Sequence, residues 1–230
     1  MTKVLLYSGG MDSWLIAQLW KPDIKLYVNM STKYSQAEIN RLPKDVIIEK
    51  LDLGGFERED SVIPLRNMYL AALGSYYGDE LCLGFTAGDR ILDQSAHFGV
   101  LMEGLLHYLY SPQWWNPKQR EIKINLDYKK YTKEELLCLY YENGGHLDKA
   151  FEESFSCYNP DINGNECWDC KPCFRKFVTF ARFNKIFDEK IRERSINHIE
   201  HNILPLIKSN TYGRGKKEED LIMKVYNRYK

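Results

Sequence analysis

The stretch Val4-Leu5-Leu6-Tyr7-Ser8-Gly9-Gly10-Met11-Asp12-Ser13 decides the fold. An apolar run enters a turn rich in glycine and hydroxyl groups, and a helix is expected from Trp14-Leu15-Ile16-Ala17 onward. A strand, a tight turn and a helix N-terminus in that order make an anion site. The first backbone N–H groups of a helix lack partners and lie at the positive end of its dipole. Gly9 and Gly10 permit positive φ and close approach of a ligand, and the Ser8 and Ser13 hydroxyls can donate to phosphate oxygens. Asp12 repels an anion unless it caps the helix or helps to hold a bridging divalent cation. The lysine of G-x-x-x-x-G-K-[ST] is absent, so a nucleotide loop of another kind is implied.

Beyond this loop, Lys25 to Val28, Val46 to Leu51 and Glu80 to Gly84 are short apolar runs bounded by turn residues, with helical segments between them. Ser35 to Leu42 reads as a helix stopped by Pro43, and Asn67 to Tyr77 as a mostly buried one. Thr132-Lys133-Glu134-Glu135 has the form of a capping box before Leu136 and Leu137. After Cys173 the spacing is helical, with no strand pattern. Such alternation predicts an α/β fold with a doubly wound, mostly parallel sheet, which binds ligands beyond the carboxyl ends of its strands.

At 230 residues the chain can bury one sizeable core. Its 32 basic and 32 acidic residues cancel, so nothing suggests wholesale attraction to nucleic acid, and a nucleic acid is not the expected direct substrate. No apolar stretch is long enough to span a bilayer, and the chain opens on a strand with no charged region and apolar run before it. A cytoplasmic location with no membrane partner is expected.

Cys157, Cys167, Cys170 and Cys173 read C-x9-C-x2-C-x2-C on a turn-rich stretch with Pro160, Gly164 and Pro172. Four thiolates so spaced suit a tetrahedral structural Zn²⁺, which folds the loop and leaves no open position for chemistry. Two disulfides, disfavoured in the cytosol, and an iron–sulfur cluster are the alternatives. Cys82 and Cys138, alone in apolar segments, read as core residues. The expected organisation is a nucleotide-binding α/β domain over residues 1–150 and a C-terminal helical, zinc-bearing appendage over residues 151–230.

Ser8-Gly9-Gly10-Met11-Asp12-Ser13 resembles the PP-loop, S-G-G-x-D-S, of the HUP-like ATP pyrophosphatases, which adenylate a carbonyl or carboxyl oxygen and release pyrophosphate. With the cysteine pattern it resembles the QueC family, the 7-cyano-7-deazaguanine synthases of queuosine biosynthesis. Val62-Ile63-Pro64-Leu65-Arg66-Asn67 is similar to that family's V-P-x-R-N segment, and Tyr34-Ser35-Gln36-Ala37-Glu38-Ile39 to the region after its second strand. Tyr131-Thr132-Lys133-Glu134-Glu135 resembles its (S/T)-K-x-E helix start, and Cys157-Tyr158 and the basic Arg175 and Lys176 match the flanks of its zinc loop. The resemblance covers most of residues 1–185.

It implies an ATP-dependent ligase using Mg²⁺, with 7-carboxy-7-deazaguanine and ammonia as substrates, and a homodimer. A carboxylate is a poor electrophile because its oxygen leaves badly. Transfer of AMP makes a mixed anhydride that ammonia attacks to give an amide, and a second activation and dehydration give the nitrile. On this reading Ser8, Gly9, Gly10, Met11, Asp12 and Ser13 bind ATP. Asp12, Ser13, Arg66 and Lys133 serve the adenylation, where preplaced donors stabilise developing charge. Arg66, Asn67, Asp89 and Asp93 bind the acceptor, and the four cysteines bind zinc.

Three departures stand out. Gly88-Asp89-Arg90-Ile91-Leu92-Asp93-Gln94 replaces the family's usual Asp-Tyr-Ser-Gly-Tyr-Pro-Asp, Trp168 stands where glycine is common, and Trp14-Leu15 replaces small hydroxyl residues. Asp89 is a candidate to accept from a guanine-like edge or merely to cap the next helix. Other acceptors for the same adenylation, such as a tRNA base or a deazaguanine left as an amide, remain open, as does a nucleotide-binding partner without turnover. Trp114-Trp115 is expected to be a core plug or a subunit contact, and Arg214 to Lys217 a solvated run. The five histidines show no metal-binding spacing.

Overall fold

The computed structural model describes all 230 residues. Strands β1 (Lys3–Leu6), β2 (Ile24–Asn29), β3 (Val46–Lys50), β4 (Glu80–Cys82) and β5 (Lys123–Asn125) form one sheet in the order β3-β2-β1-β4-β5. Every neighbouring pair is parallel, with Leu5 opposite Lys25 on one side and Cys82 on the other. Parallel neighbours need crossovers, and α1 (Met11–Trp20), α2 (Ser35–Ile39), α3 (Arg66–Gly74) and α4 (Ala96–Leu109) lie in them. The chain winds outward in one direction through β2 and β3 and in the other through β4 and β5. The sheet is therefore doubly wound, as the sequence predicts, and its order reverses between β1 and β4.

Alternation along β1 builds a core on each face. Val4 and Leu6 pack with Leu26, Leu81 and Ile124 under Ala71 of α3 and Met102 of α4. Leu5 and Tyr7 face Leu15 of α1 and Leu136 and Leu137 of α5 (Lys133–Glu142). Phe180 of α7 (Lys171–Ala181) is fully buried in this second core, and α6 (Leu147–Glu153) adds Ala150. The boundary expected at residue 150 thus falls inside α6. A third core, around Phe174, Phe177, Ile199 and Ile222, joins α7 to α8 (Glu189–His198), α9 (Leu204–Lys208) and α10 (Lys216–Tyr229).

Some local expectations shift. α1 starts at Met11, three residues before the predicted start, because extended Gly10 (φ −64°, ψ 158°) is its N-cap. Asp12 and Ser13 therefore lie in its first turn. α3 runs from Arg66 to Gly74, and β5 and α4 have no predicted counterpart. β5 is three residues long, too short for its period to show. Trp114 and Trp115, at 96% and 56% exposure, are not a core plug. No helix is long and apolar enough to cross a membrane.

Candidate active site

A cleft of about 260 Å³ opens where the strand order reverses, between the turn after β1 and the loop after β4. Gly9 holds φ +72°, which L side chains rarely adopt, and this turns the chain back toward α1. The loop is closed on itself: the Gly10 N–H donates to Ser8 Oγ at 3.2 Å and Ser13 Oγ donates to the Gly10 carbonyl at 3.0 Å. The Ser13 hydroxyl proton is thus used within the loop. The Met11 N–H donates to Ser156 Oγ at 3.3 Å, while its side chain is buried in the core. The N–H groups of Gly9, Asp12 and Ser13 are left without a protein acceptor at the positive end of α1.

Asp12 settles one alternative left by the sequence. Gly10, not Asp12, occupies the N-cap, and no side chain caps α1. Asp12 Oδ2 pairs with Lys133 Nζ, whereas Oδ1 is buried without a partner. A buried, undonated carboxylate oxygen is costly, and a hard divalent cation is the ligand that suits it. The residues present therefore fit Mg²⁺, which Asp12 Oδ1 would hold beside the free N–H groups.

Lys133 reaches Asp12 from the first turn of α5. Thr132 Oγ1 accepts from the Glu135 N–H at 3.2 Å and Glu135 Oε2 accepts from the Thr132 N–H at 2.8 Å, so the predicted capping box fixes that turn. Arg66 opens α3 after Leu65, whose φ is +62°. Lys133, Arg175 and Arg214 in the cleft are ion-paired with carboxylates and Arg66 is not. Glu38 of α2 also faces the cleft and accepts from the Tyr27 hydroxyl at 2.8 Å. Burial pushes its carboxyl up to about 7, against the opposing pull of that hydrogen bond and of Arg66.

The cleft continues past Arg66 into a second lobe of about 200 Å³. Arg66, Asn67, Asp89 and Asp93 all border it. Buried Asn67 donates its N–H to Asp93 Oδ2 at 3.2 Å, so Asp93 braces the start of α3. Asp89 Oδ2 accepts from the Thr86 N–H and hydroxyl at 2.7 and 3.0 Å, while Oδ1 faces Arg214 at 3.5 Å. Burial opposes its ionisation, but Lys133, the Thr86 N–H and Arg214 outweigh burial and hold its carboxyl below the usual range.

The structure corrects the solvated reading of Arg214. Its side chain is 14% exposed and borders both lobes, whereas Lys216 and Lys217 do lie in solvent. Nothing local in Gly213-Arg214-Gly215 announces this. Glu218, which made the run look like a balanced surface, turns inward to pair with Arg175 and Arg214.

The four cysteines meet beside the cleft. Their Sγ atoms all lie within 4.8 Å of one another, with Cys167 and Cys173 4.0 Å apart. All six cysteines are free thiols. Bonds of about 2.3 Å to one zinc place tetrahedral sulfurs about 3.8 Å apart, against about 2.05 Å in a disulfide. The donor set fits one zinc ion, and sulfurs this close leave no room for several irons between them. The Asn159 and Cys167 N–H groups each donate to Cys157 Sγ at 3.3 Å and the Asp169 N–H to Cys167 Sγ at 3.4 Å, as thiolate ligands require. Trp168 sits at φ +57°, a backbone state for which glycine is the natural choice. Stacking on Phe151, with centroids 5.6 Å apart, offsets that strain. Cys82 is buried and its thiol is pushed up to about 12 by burial, whereas Cys138 is only half-buried.

The cysteine-bearing loop also holds the turn from Ser8 to Ser13. Ser156, the acceptor for Met11, donates its own N–H to Glu166 at 2.6 Å, and Glu166 pairs at 2.9 Å with Lys176, which is 1% exposed.

The family model described as queuosine biosynthesis protein QueC matches residues 40–184, more than half of the chain. No curated protein and no solved structure matches the chain. The matched span includes Arg66, Asp89, Lys133 and the four clustered cysteines, while Ser8 to Ser13 precede it and Arg214 follows it. The chain belongs to the QueC family of queuosine biosynthesis proteins.

Proposed function

We propose that the protein is an ATP-dependent ligase that forms a carbon–nitrogen bond on 7-carboxy-7-deazaguanine, using ammonia to reach 7-cyano-7-deazaguanine. One observation carries this reading: the free N–H groups of α1 and the orphaned Asp12 oxygen open onto the same cleft as a second lobe lined by arginines and carboxylates. The first feature suits an anionic leaving group and its Mg²⁺, the second an acceptor that carries both a carboxylate and N–H donors.

ATP supplies the adenylyl group. The loop from Ser8 to Ser13 binds the departing pyrophosphate by backbone N–H groups that need no reorganisation as charge moves onto it. Lys133 holds the Asp12 carboxylate in place and lowers the local negative charge. Arg66, free of a carboxylate partner, is placed to bind a phosphate or acceptor oxygen bidentately. The zinc loop has no open position and acts as a brace.

Pyrophosphate release tests the reading. It should require ATP, the deazaguanine acid and ammonia together, and release dependent on tRNA instead would move the activity to a tRNA base. We further place the enzyme in the cytoplasm as a homodimer. The exposed Val100, Leu101 and Tyr108 of α4 give a second copy an apolar face to cover, and a monomer in solution would contradict this.

A further inference from the structure

The segment around Arg214 lies thirty residues beyond the end of the matched family span, yet it walls the second lobe. Gly213 and Gly215 take φ of +74° and +100°, bending the chain so that Arg214 enters the cleft. Its Nε donates to both Glu218 oxygens at 3.1 and 3.0 Å, and Nη2 meets Asp89 only at 3.5 Å. One end of the guanidinium is thus anchored while the other remains open for a stronger partner. Gly88 packs directly against this group: a Cβ there would stand 2.5 Å from Arg214 Nη2 and 2.8 Å from Glu218 Oε2. Lys129 Nζ fixes the same loop by donating to the Thr86 and Asp89 carbonyls at 2.7 and 2.9 Å.

An acceptor carboxylate must approach a polyanionic nucleotide within bonding distance, and cations at the junction of the two lobes are what permit it. Arg66, Arg175, Arg214 and Tyr158 border both lobes. Tyr158 stacks on Tyr34 at 5.0 Å and offers a planar ligand a flat wall. Arg175 Nε lies 3.3 Å from Glu218 Oε1 without a hydrogen bond, and Arg66 opens α3, so of these three guanidinium groups Arg214 is the one aimed by hydrogen bonds.

We propose that Arg214 grips the carboxylate of the acceptor, a planar heteroaromatic acid, and that Gly88 makes room for it to do so. The assignment deepens the ligase reading above and rests on it. A planar, five-donor fork matches a carboxylate in a way that an ammonium does not, and the Asp89 contact is weak enough to be exchanged.

Steady-state pyrophosphate release by the full chain tests this with Arg214→Gln, Arg214→Lys and Gly88→Ala. Arg214→Gln should raise KM for the deazaguanine acid about 10- to 100-fold, the range for losing a charged hydrogen bond, and leave KM for ATP within about twofold. Affinity for the neutral carboxamide analogue should change far less. Arg214→Lys, which retains the Glu218 pairing if Gln disturbs folding, should recover only part of the acid's affinity. Gly88→Ala should shift the acid's KM in the same direction by displacing the guanidinium. Equal losses for acid and amide, or a rise in KM for ATP alone, overturn the proposal while the ligase reading stands. A wild type that releases no pyrophosphate with any deazaguanine acid overturns both.

Discussion

The backbone N–H of Phe155 donates to the carbonyl oxygen of Gly9 at 2.8 Å, tying the residue two positions before Cys157, the first cysteine of the cluster, to the turn after β1. Through it the cysteine cluster positions a turn that it does not touch. Purified protein should therefore carry about one zinc per chain, and stripping the metal or substituting Cys167→Ser should lower turnover on the order of 10²-fold, the effect of misplacing a catalytic loop by about 1 Å. Elemental analysis with pyrophosphate release checks this. Metal-free protein with full activity would show that the two loops are independent.

Asp12→Ala removes the oxygen that fits a cation and leaves Lys133 without its partner. Turnover should fall by at least about 10²-fold, as when one preorganised electrostatic contact is lost. Circular dichroism should be unchanged, since neither group is fully buried. Activity close to wild type would remove Asp12 from the mechanism.

Lys176→Met leaves Glu166, whose side chain is 11% exposed, without its cation and loosens Ser156. Breaking a buried pair from one side costs about 3–5 kcal/mol, so urea unfolding should show a loss of that size. A loss below about 1 kcal/mol would mean that Glu166 relaxes into water.

Glu38 gives a pH signature. Its carboxyl titrates near 7 in the fold, above the ordinary value of 4.5, so the folded chain binds the extra proton and stability falls as pH rises between those values. The cost is absent below about pH 4.5 and complete above about pH 7, reaching up to about 3 kcal/mol. Glu38→Gln should thus match wild type at low pH and become the more stable of the two above neutrality, as thermal midpoints across pH 4.5–8 would reveal. A constant difference across that range would contradict the shift.

The glycine turn from Ser8 to Ser13, the cysteine set and the capping box at Thr132 were legible because each is a local pattern of nearby residues. Their convergence was not. Asp12 and Lys133 meet through α1 and α5, which share a face of the sheet, and no spacing in the chain encodes that distance. The start of α1 moved to Met11 because hydrophobic periodicity begins at Trp14 while the backbone turns helical one cap residue after Gly9. β5 is too short to carry a period and stands only because β4 pairs with it. Arg214 was hidden by its acidic neighbours, since charge balance along the chain cannot distinguish a solvated run from an inward pair such as Arg214 and Glu218.

Gly213 and Gly215 hold positive φ on either side of Arg214, so a bend, and not a helix or strand, carries this side chain to the cleft. On the proposed role of Arg214, recognition of the acceptor depends in part on a bend that lies outside the matched family span. A lineage could change what it modifies by altering this one bend, and keep its means of activation unaltered.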